Sequence, residues 1–336
     1  MGTVETLTFP ALGWELHLDR VAFRIGNFSF YWYGILIAIG FALAIFYVFR
    51  RAKTFGLNED RMVDVIFGAV IGGIVGARLY YVAFRWDYYS QNLGEVFNTR
   101  NGGLAIYGGI LFGFAAGYLM CRWRRVKFLP MADAVTGGFF IGQAMGRWGN
   151  FVNIEAFGAN TSLPWGMSSP VITQYLTAHE QELEAMGMSI DPAMPVHPTF
   201  FYESMWCLAG FLFIAWYTKR RRFDGELTLF YAGWYGLGRM FIEGLRTDSL
   251  VIGNTGIRVS QVLAAVLAVS ALGVWLFVRS KIKREGDGFL PLYAATEESR
   301  RAVSGELYQK GAPAAAEPAQ QEKAPSAEET SEEQEN

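Results

Sequence analysis

Seven stretches of the chain are mostly apolar and reach or approach spanning length: Phe28 to Phe49, Met62 to Phe84, Leu104 to Cys121, Met131 to Trp148, Thr199 to Tyr217, Leu227 to Ile242 and Ser260 to Val278. About 20 mostly apolar residues let a helix cross a bilayer. The pattern therefore predicts an all-α integral membrane protein, a bundle of seven transmembrane helices. The third, fourth and sixth stretches are short or interrupted by glycine, which leaves their ends the least defined. Basic residues follow the first, third, fifth and seventh runs: Arg50, Arg51 and Lys53; Arg122, Arg124, Arg125 and Lys127; Lys219 to Arg222; Arg279, Lys281, Lys283 and Arg284. Lysine and arginine concentrate in cytoplasmic loops. That rule puts the N-terminus outside and the C-terminus in the cytoplasm, which requires an odd number of spans.

The long segment 151–198 carries no lysine or arginine and falls on the outer side. Five prolines and an acidic, helix-prone stretch from Ala178 to Met186 mark it as more than a connector; long ordered loops often form lids or binding surfaces. The expected organisation is an extracytoplasmic N-terminal segment 1–27, a seven-span membrane domain 28–284 holding the outer segment 151–198, and a cytoplasmic tail 285–336. From about residue 294 the tail is rich in Ala, Glu, Gln, Pro and Ser, and it is expected to be disordered.

Composition changes this picture little. The net charge of -2 hides a division between basic clusters beside the apolar runs and an acidic C-terminal block. Cys121 and Cys207 lie in or beside apolar runs at different depths, so no disulfide is expected. The first run lacks a small-residue cleavage site after it and reads as a retained anchor. Glycines at four-residue spacing (Gly68, Gly72, Gly76; Gly109, Gly113, Gly117; Gly138, Gly142, Gly146) read as close helix packing in lipid.

The informative residues are polar ones within or beside the spans. Charged groups at bilayer depth are costly and are tolerated mainly where they face a bundle interior or a wet cavity. Arg78, Arg147, Glu203, Arg239, Glu243 and Arg246 all fall on the outer side of the predicted bundle, with Asn150, Asn153, His197 and Tyr202 beside them. Arg239, Glu243 and Arg246 are spaced i, i+4, i+7, one face of a helix. Structural ion pairs and snorkelling arginines account for Arg78 or Arg246 singly. They account poorly for four arginines at one depth, and guanidinium groups fork onto phosphate oxygens. An anionic lipid headgroup is the ligand this set suits. The aromatic residues at span ends form an interfacial belt, Asp64 and Asp133 cap cytoplasmic helix starts, and neither cysteine has the electropositive setting of a reactive thiolate. No phosphate-binding glycine loop, metal-spaced His or Cys cluster, or serine nucleophile elbow is present.

The stretch Gly146 to Gly158, GRWGNFVNIEAFG, closely resembles the signature of the prolipoprotein diacylglyceryl transferases. YWYG at Tyr31 to Gly34, HPTFFYE at His197 to Glu203 and GRMFIEGLR at Gly238 to Arg246 agree with the same family in order and spacing. The resemblance covers the seven-span core and excludes the acidic tail. It implies a multi-pass enzyme of the bacterial plasma (inner) membrane, with its site toward the extracytoplasmic leaflet. The implied reaction transfers a diacylglyceryl group from phosphatidylglycerol to the lipobox cysteine thiol of a prolipoprotein signal peptide and releases glycerol phosphate. The implied partners are those two substrates and membrane lipids, with no nucleic acid, no cofactor and no metal. Carried over by motif, Arg147 and Arg239 hold the lipid phosphate, Asn150, Asn153 and Glu155 form a polar wall, and Gly158 allows close backbone approach. Tyr33 and Glu243 complete the pocket, with Arg78, Gly103, His197, Glu203 and Arg246 as further substrate-binding candidates.

The chemistry of the residues fits that implication. Thiolate attack on the glycerol carbon builds negative charge on the leaving phosphate oxygen, where fixed guanidinium donors stabilise it. The nucleophile belongs to the substrate. One position departs from the family: Tyr107 stands in NGGLAIYGG where many members carry histidine, the usual base near neutral pH. Glu155 or His197 could take the thiol proton, or the arginine field could lower the thiol pKa enough to need no strong base. Two other readings stay open at this stage. A transporter or flippase for an anionic lipid or metabolite would place its site nearer the midplane and show repeats. A lipoprotein signal peptidase would need an outer aspartate pair.

Overall fold

The computed structural model describes residues 4–99, 102–247, 258–286 and 288–309. Two β-hairpins precede the helices: β1 (Val4–Phe9) with β2 (Trp14–Asp19), and β3 (Val21–Ile25) with β4 (Phe28–Tyr31), both antiparallel. The helices are α1 (Trp32–Arg51), α2 (Glu59–Phe84), α3 (Trp86–Tyr89), α4 (Ile106–Arg124), α5 (Phe128–Asn153), α6 (Pro170–Ala178), α7 (Glu180–Ala185), α8 (Thr199–Tyr217), α9 (Glu226–Glu243), α10 (Val259–Glu285) and α11 (Glu297–Val303). The protein is mostly helical. Among the described residues, four helical stretches, Trp32–Phe55, Glu59–Phe84, Thr199–Arg220 and Val259–Glu285, are long and apolar enough to cross a membrane. The outward faces of α1 and α10 display bare apolar side chains such as Phe41, Phe46, Val269 and Phe277, as lipid-facing surfaces do.

The helices pack in pairs, α2 with α4, α1 with α5, α9 with α10, and α5 also against α8. The glycine stripe in α2 serves that packing: a Cβ on Gly76 would come within 2.1 Å of the Phe112 Cβ of α4. Small residues let backbones approach where there is no hydrophobic drive between helices. One apolar core lies among the helices and reaches the end of the bundle holding the α1–α2, α4–α5 and α8–α9 turns, with Phe55, Leu57, Met62, Val126 and Leu227 buried. A second core forms a small head at the opposite end, joining Leu7 of β1 to Ile154, Phe157, Ile172, Leu176, Leu183 and Val196. Backbone bridges Thr8 to Ser168 and Met167 to Val196 stitch that head together.

Several boundaries differ from the sequence reading. Phe28–Tyr31 is strand β4 and the first helix begins at Trp32, because those apolar residues pair with β3. Helix α5, the fourth predicted span, runs on to Asn153, past the expected end at Trp148, and carries Arg147 and Asn150 in its last turns. The tail expected to be disordered from about residue 294 is instead ordered through residue 309. Tyr293, Ser299, Ala302 and Leu307 are buried, and Thr296 caps α11 through the Ser299 amide. A low apolar content does not prevent ordering where a ready-made surface supplies the rest of the core. The remainder of that tail lies outside the described residues.

Candidate functional site

The last turns of α5, the first turns of α8 and the end of α9 meet beneath the head. Glu203, in the second turn of α8, is 5% exposed and takes three guanidinium groups. Arg147 Nη2 lies 2.5 Å and Arg239 Nη1 3.5 Å from its Oε2, and Arg246 Nη1 lies 3.1 Å from Oε1. A second buried carboxylate, Glu243, pairs with Arg239 one helical turn before it and accepts from Ser260 Oγ at 2.5 Å. The two carboxylates neutralise part of the positive charge. The Arg147 and Arg239 side chains keep 21% and 18% of their surface open, so their outer edges remain accessible.

The polar wall grows from a strained turn. Ile154 (φ +52) and Ala156 (φ +56) both sit in the left-handed region, which costs a residue with a Cβ roughly 1–2 kcal/mol. The buried Ile154 side chain and the Glu155 amide's 3.0 Å bond to the Asn150 carbonyl hold the turn. The reversal folds exposed Glu155 back over α5. Asn150 Nδ2 then donates to its Oε1 at 2.9 Å and Asn153 Nδ2 at 3.4 Å, while Arg147 Nη1 donates to Asn150 Oδ1 at 3.4 Å. Arg147, Asn150, Asn153 and Glu155 are thus one connected set.

Gly158 lets two strands of backbone meet above it. Its amide donates to the His197 carbonyl at 2.9 Å, and an added Cβ would lie 2.8 Å from His197 Cβ and 3.0 Å from the Leu245 carbonyl oxygen. The close approach is to protein backbone, bridging Gly158 to Arg246. Arg246 lies beyond the end of α9, past a turn at Gly244, and not on the helical face its spacing predicted. That backbone bridge brings it back to Glu203. His197 Nδ1 lies 3.2 Å from the Tyr202 hydroxyl, which accepts from Trp165 Nε1 at 2.8 Å. Burial pushes the His197 ring below its ordinary pKa, because it disfavours the charged imidazolium. Tyr33, half exposed at the start of α1, lies against Gly149, where a Cβ would come within 2.6 Å of its ring. A largely apolar cavity of about 600 Å³ adjoins the same turns of α5, lined by Leu18, Trp32, Leu36, Met145, Trp148 and Phe151 together with His17 and Asp19.

Three expected site residues stand apart. Arg78 is buried in α2, and all three of its guanidinium nitrogens donate to backbone carbonyls, those of Glu95, Val96, Asn98, Gly102 and Gly103, at 2.6–3.3 Å. It organises the α3–α4 loop and has no donors left for a headgroup. Gly103 (φ +81) belongs to that same contact, since its Cβ would lie 2.2 Å from Arg78 Nη1. A sequence gives the depth of an arginine without showing which carbonyls a folded loop will offer it. Tyr107 is 45% exposed at the start of α4 and forms no hydrogen bond with the described cluster residues.

Arg258 and Ser260 escaped the sequence reading. Arg258 is buried and donates to the Glu243 carbonyl, and Ser260 bonds the Glu243 carboxylate. An arginine directly before the seventh apolar run, at the depth of the other site arginines, was the available signal. Tyr235, one turn before Arg239, also lies within electrostatic reach of Arg147, Arg239 and Glu203.

Residues 20–278 match the family model described as prolipoprotein diacylglyceryl transferase. Among curated relatives, the phosphatidylglycerol–prolipoprotein diacylglyceryl transferase of Clostridioides difficile (strain 630) is 38% identical over 266 residues, 79% of this chain and 98% of the relative. The enzyme of the same name from Finegoldia magna is 42% identical over 265 residues, 79% of this chain and 96% of the relative. That from Bacillus cereus (strain Q1) is 39% identical over 280 residues, 83% and 98% respectively.

Proposed function

The chain belongs to the prolipoprotein diacylglyceryl transferase family, a family of membrane transferases in lipoprotein biosynthesis, and from that premise we propose how its site works. The substrates are phosphatidylglycerol and the lipobox cysteine of a prolipoprotein signal peptide. The thiol sulfur attacks the glycerol carbon that carries the headgroup phosphate. A carbon–sulfur bond forms, the carbon–oxygen bond breaks, and glycerol phosphate leaves with the bonding electron pair.

One observation carries this reading: three arginines from two segments converge on a single buried carboxylate, with the outer edges of Arg147 and Arg239 exposed beside the Asn150–Asn153–Glu155 wall. Glu203 and Glu243 hold the guanidinium groups in place before the lipid arrives, so little reorganisation is needed as charge builds on the leaving oxygen. Arg147 and Arg239 clamp the phosphate, and Arg246 with Glu203 forms the floor. Both asparagine amides converge on Glu155 Oε1, so Oε2 is the oxygen placed to receive the thiol proton. The positive field assists by lowering the thiol pKa. Tyr33 closes the pocket and the apolar cavity takes an acyl chain.

The membrane arrangement belongs to the same proposal. Seven helices cross the bilayer, with the head, the hairpins and the site in the extracytoplasmic leaflet and the C-terminal segment in the cytoplasm. Support comes from the four basic clusters at the ends of α1, α4, α8 and α10, and from α4, α5 and α9, which at 19, 26 and 18 residues approach or reach spanning length. Mass spectrometry of a lipobox peptide incubated with the purified protein and phosphatidylglycerol tests the function. Wild type adds one diacylglyceryl mass and Arg147→Ala adds almost none. No gain with wild type, or an undiminished gain with the variant, defeats the reading.

A further inference from the structure

The segment after α10 lies beyond residue 278, the last residue of the family match, and the Clostridioides difficile relative has 98% of its length already inside its own match. Yet residues 288–309 are packed onto the end of the bundle opposite the site. The Tyr293 amide donates to Asp224 Oδ2 at 2.7 Å in the α8–α9 turn. Glu298 pairs with Lys127 of the α4–α5 turn at 3.2 Å, and that ammonium also lies 5.8 Å from the Tyr293 ring centroid. Ser299 Oγ donates to the Gly56 carbonyl of the α1–α2 turn at 3.3 Å, and Arg61 at the start of α2 covers the Tyr308 ring at 4.5 Å.

The surface is shaped for this segment. Gly56 (φ +70) leaves a notch in which a Cβ would lie 2.0 Å from Ser299 Oγ and 2.9 Å from Ala294 Cα. Tyr293 completes the apolar core formed by Phe55, Leu57 and Val126, while Ala302 and Leu307 are buried further along the segment. The same α8–α9 turn is fixed from below by α5, whose Asp133 accepts from the Gly225 and Thr228 amides at 2.8 Å each. Arg221 in that turn donates to the Thr54 carbonyl of the α1–α2 turn at 2.8 Å. The segment therefore touches three interhelix turns, two of which also meet directly through Arg221 and Thr54.

We propose that this notched end is a docking surface whose occupant is the chain's own segment 288–309, a detachable clamp that ties the α1–α2, α4–α5 and α8–α9 turns together. Its recognition chemistry is Ser299 and Ala294 in the notch, Tyr293 in the apolar core, Ala302 and Leu307 buried further along, and Glu298 facing Lys127.

Hydrogen exchange on the full chain in detergent tests it, using Ser299→Trp, which overfills the notch, and Leu307→Asp, which removes an apolar anchor. Both are expected to raise exchange at least tenfold in 288–309 and also in 52–58, 125–128 and 218–225, with the helix interiors of α5 and α8 unchanged as the folding control. A synthetic peptide of residues 288–309 added in excess to Leu307→Asp is expected to restore slow exchange in the three turns. Faster exchange confined to 288–309, or no protection from the peptide, overturns the proposal.

Discussion

Replacing Glu203 by glutamine keeps the side-chain shape and removes the charge beneath three arginines. The carboxylate is 5% exposed and its contacts to Arg147, Arg239 and Arg246 are 2.5, 3.5 and 3.1 Å. Opposite charges 4 Å apart attract by roughly 4 kcal/mol at an effective dielectric near 20. Desolvation offsets most of that gross attraction in the intact cluster, and the cost appears when one partner goes: breaking a buried pair from one side destabilises by about 3–5 kcal/mol. The substitution removes one of the carboxylates that face the arginines, so the cluster becomes more positive by one charge. Two effects of opposite sign follow. Glu203→Gln unfolds at lower temperature than wild type in neutral detergent, and phosphatidylglycerol raises its unfolding temperature by more than it raises that of wild type. Thermal unfolding with phosphatidylglycerol and with a zwitterionic lipid measures both. An unchanged midpoint without lipid shows that Glu203 is not the counterion. Equal stabilisation by the two lipids shows that the arginines do not read phosphate charge.

Arg78→Ala strips the guanidinium from five loop carbonyls and is expected to cost roughly 1–3 kcal/mol for the carbonyls left unsatisfied, visible as rapid protease cleavage within 93–103. Gly158→Ala forces a methyl between His197 and Leu245 and is expected to cost roughly 1–3 kcal/mol, with transfer activity falling alongside stability as Arg246 is displaced. Tyr107→Phe is expected to keep most of the transfer rate, measured by peptide mass; near-complete loss with lipid binding intact would assign the proton to that hydroxyl. For His197 the folded pKa is depressed by burial, so its contribution to stability is full above the unfolded value of about 6.5 and declines as pH falls toward the folded value. The difference in unfolding midpoint between wild type and His197→Gln should therefore be constant and largest above that pH and shrink below it; parallel profiles throughout would remove His197 from the acid response.

Much of the molecule was legible one residue at a time. Apolar runs mark where helices must be, because backbone groups in hydrocarbon have to be satisfied within the segment. The glycine spacing of α2 and α4 pointed to close packing, and Gly76 against Phe112 shows it. Charge at depth singled out Arg147, Glu203, Arg239 and Glu243, which the fold brings together. Both cysteines are buried and free, as their separation in depth suggested.

Partner choice was not legible. Arg78 and Arg147 look alike in sequence, each an arginine near the end of an apolar run. Arg78 meets a loop that curls around it, and Arg147 meets a carboxylate carried in by α8, 56 residues later. Nothing local decides between those outcomes, since each depends on which distant segment packs alongside. Phe28–Tyr31 became a strand because β3 was there to pair with it, and residues 293–308 became ordered because three turns offered them a notch. The sequence by itself determined which residues could not face lipid and therefore had to find partners. The tertiary structure decided who those partners are, because a buried charge is stabilised by geometry within a few ångströms, and only long-range packing sets that geometry.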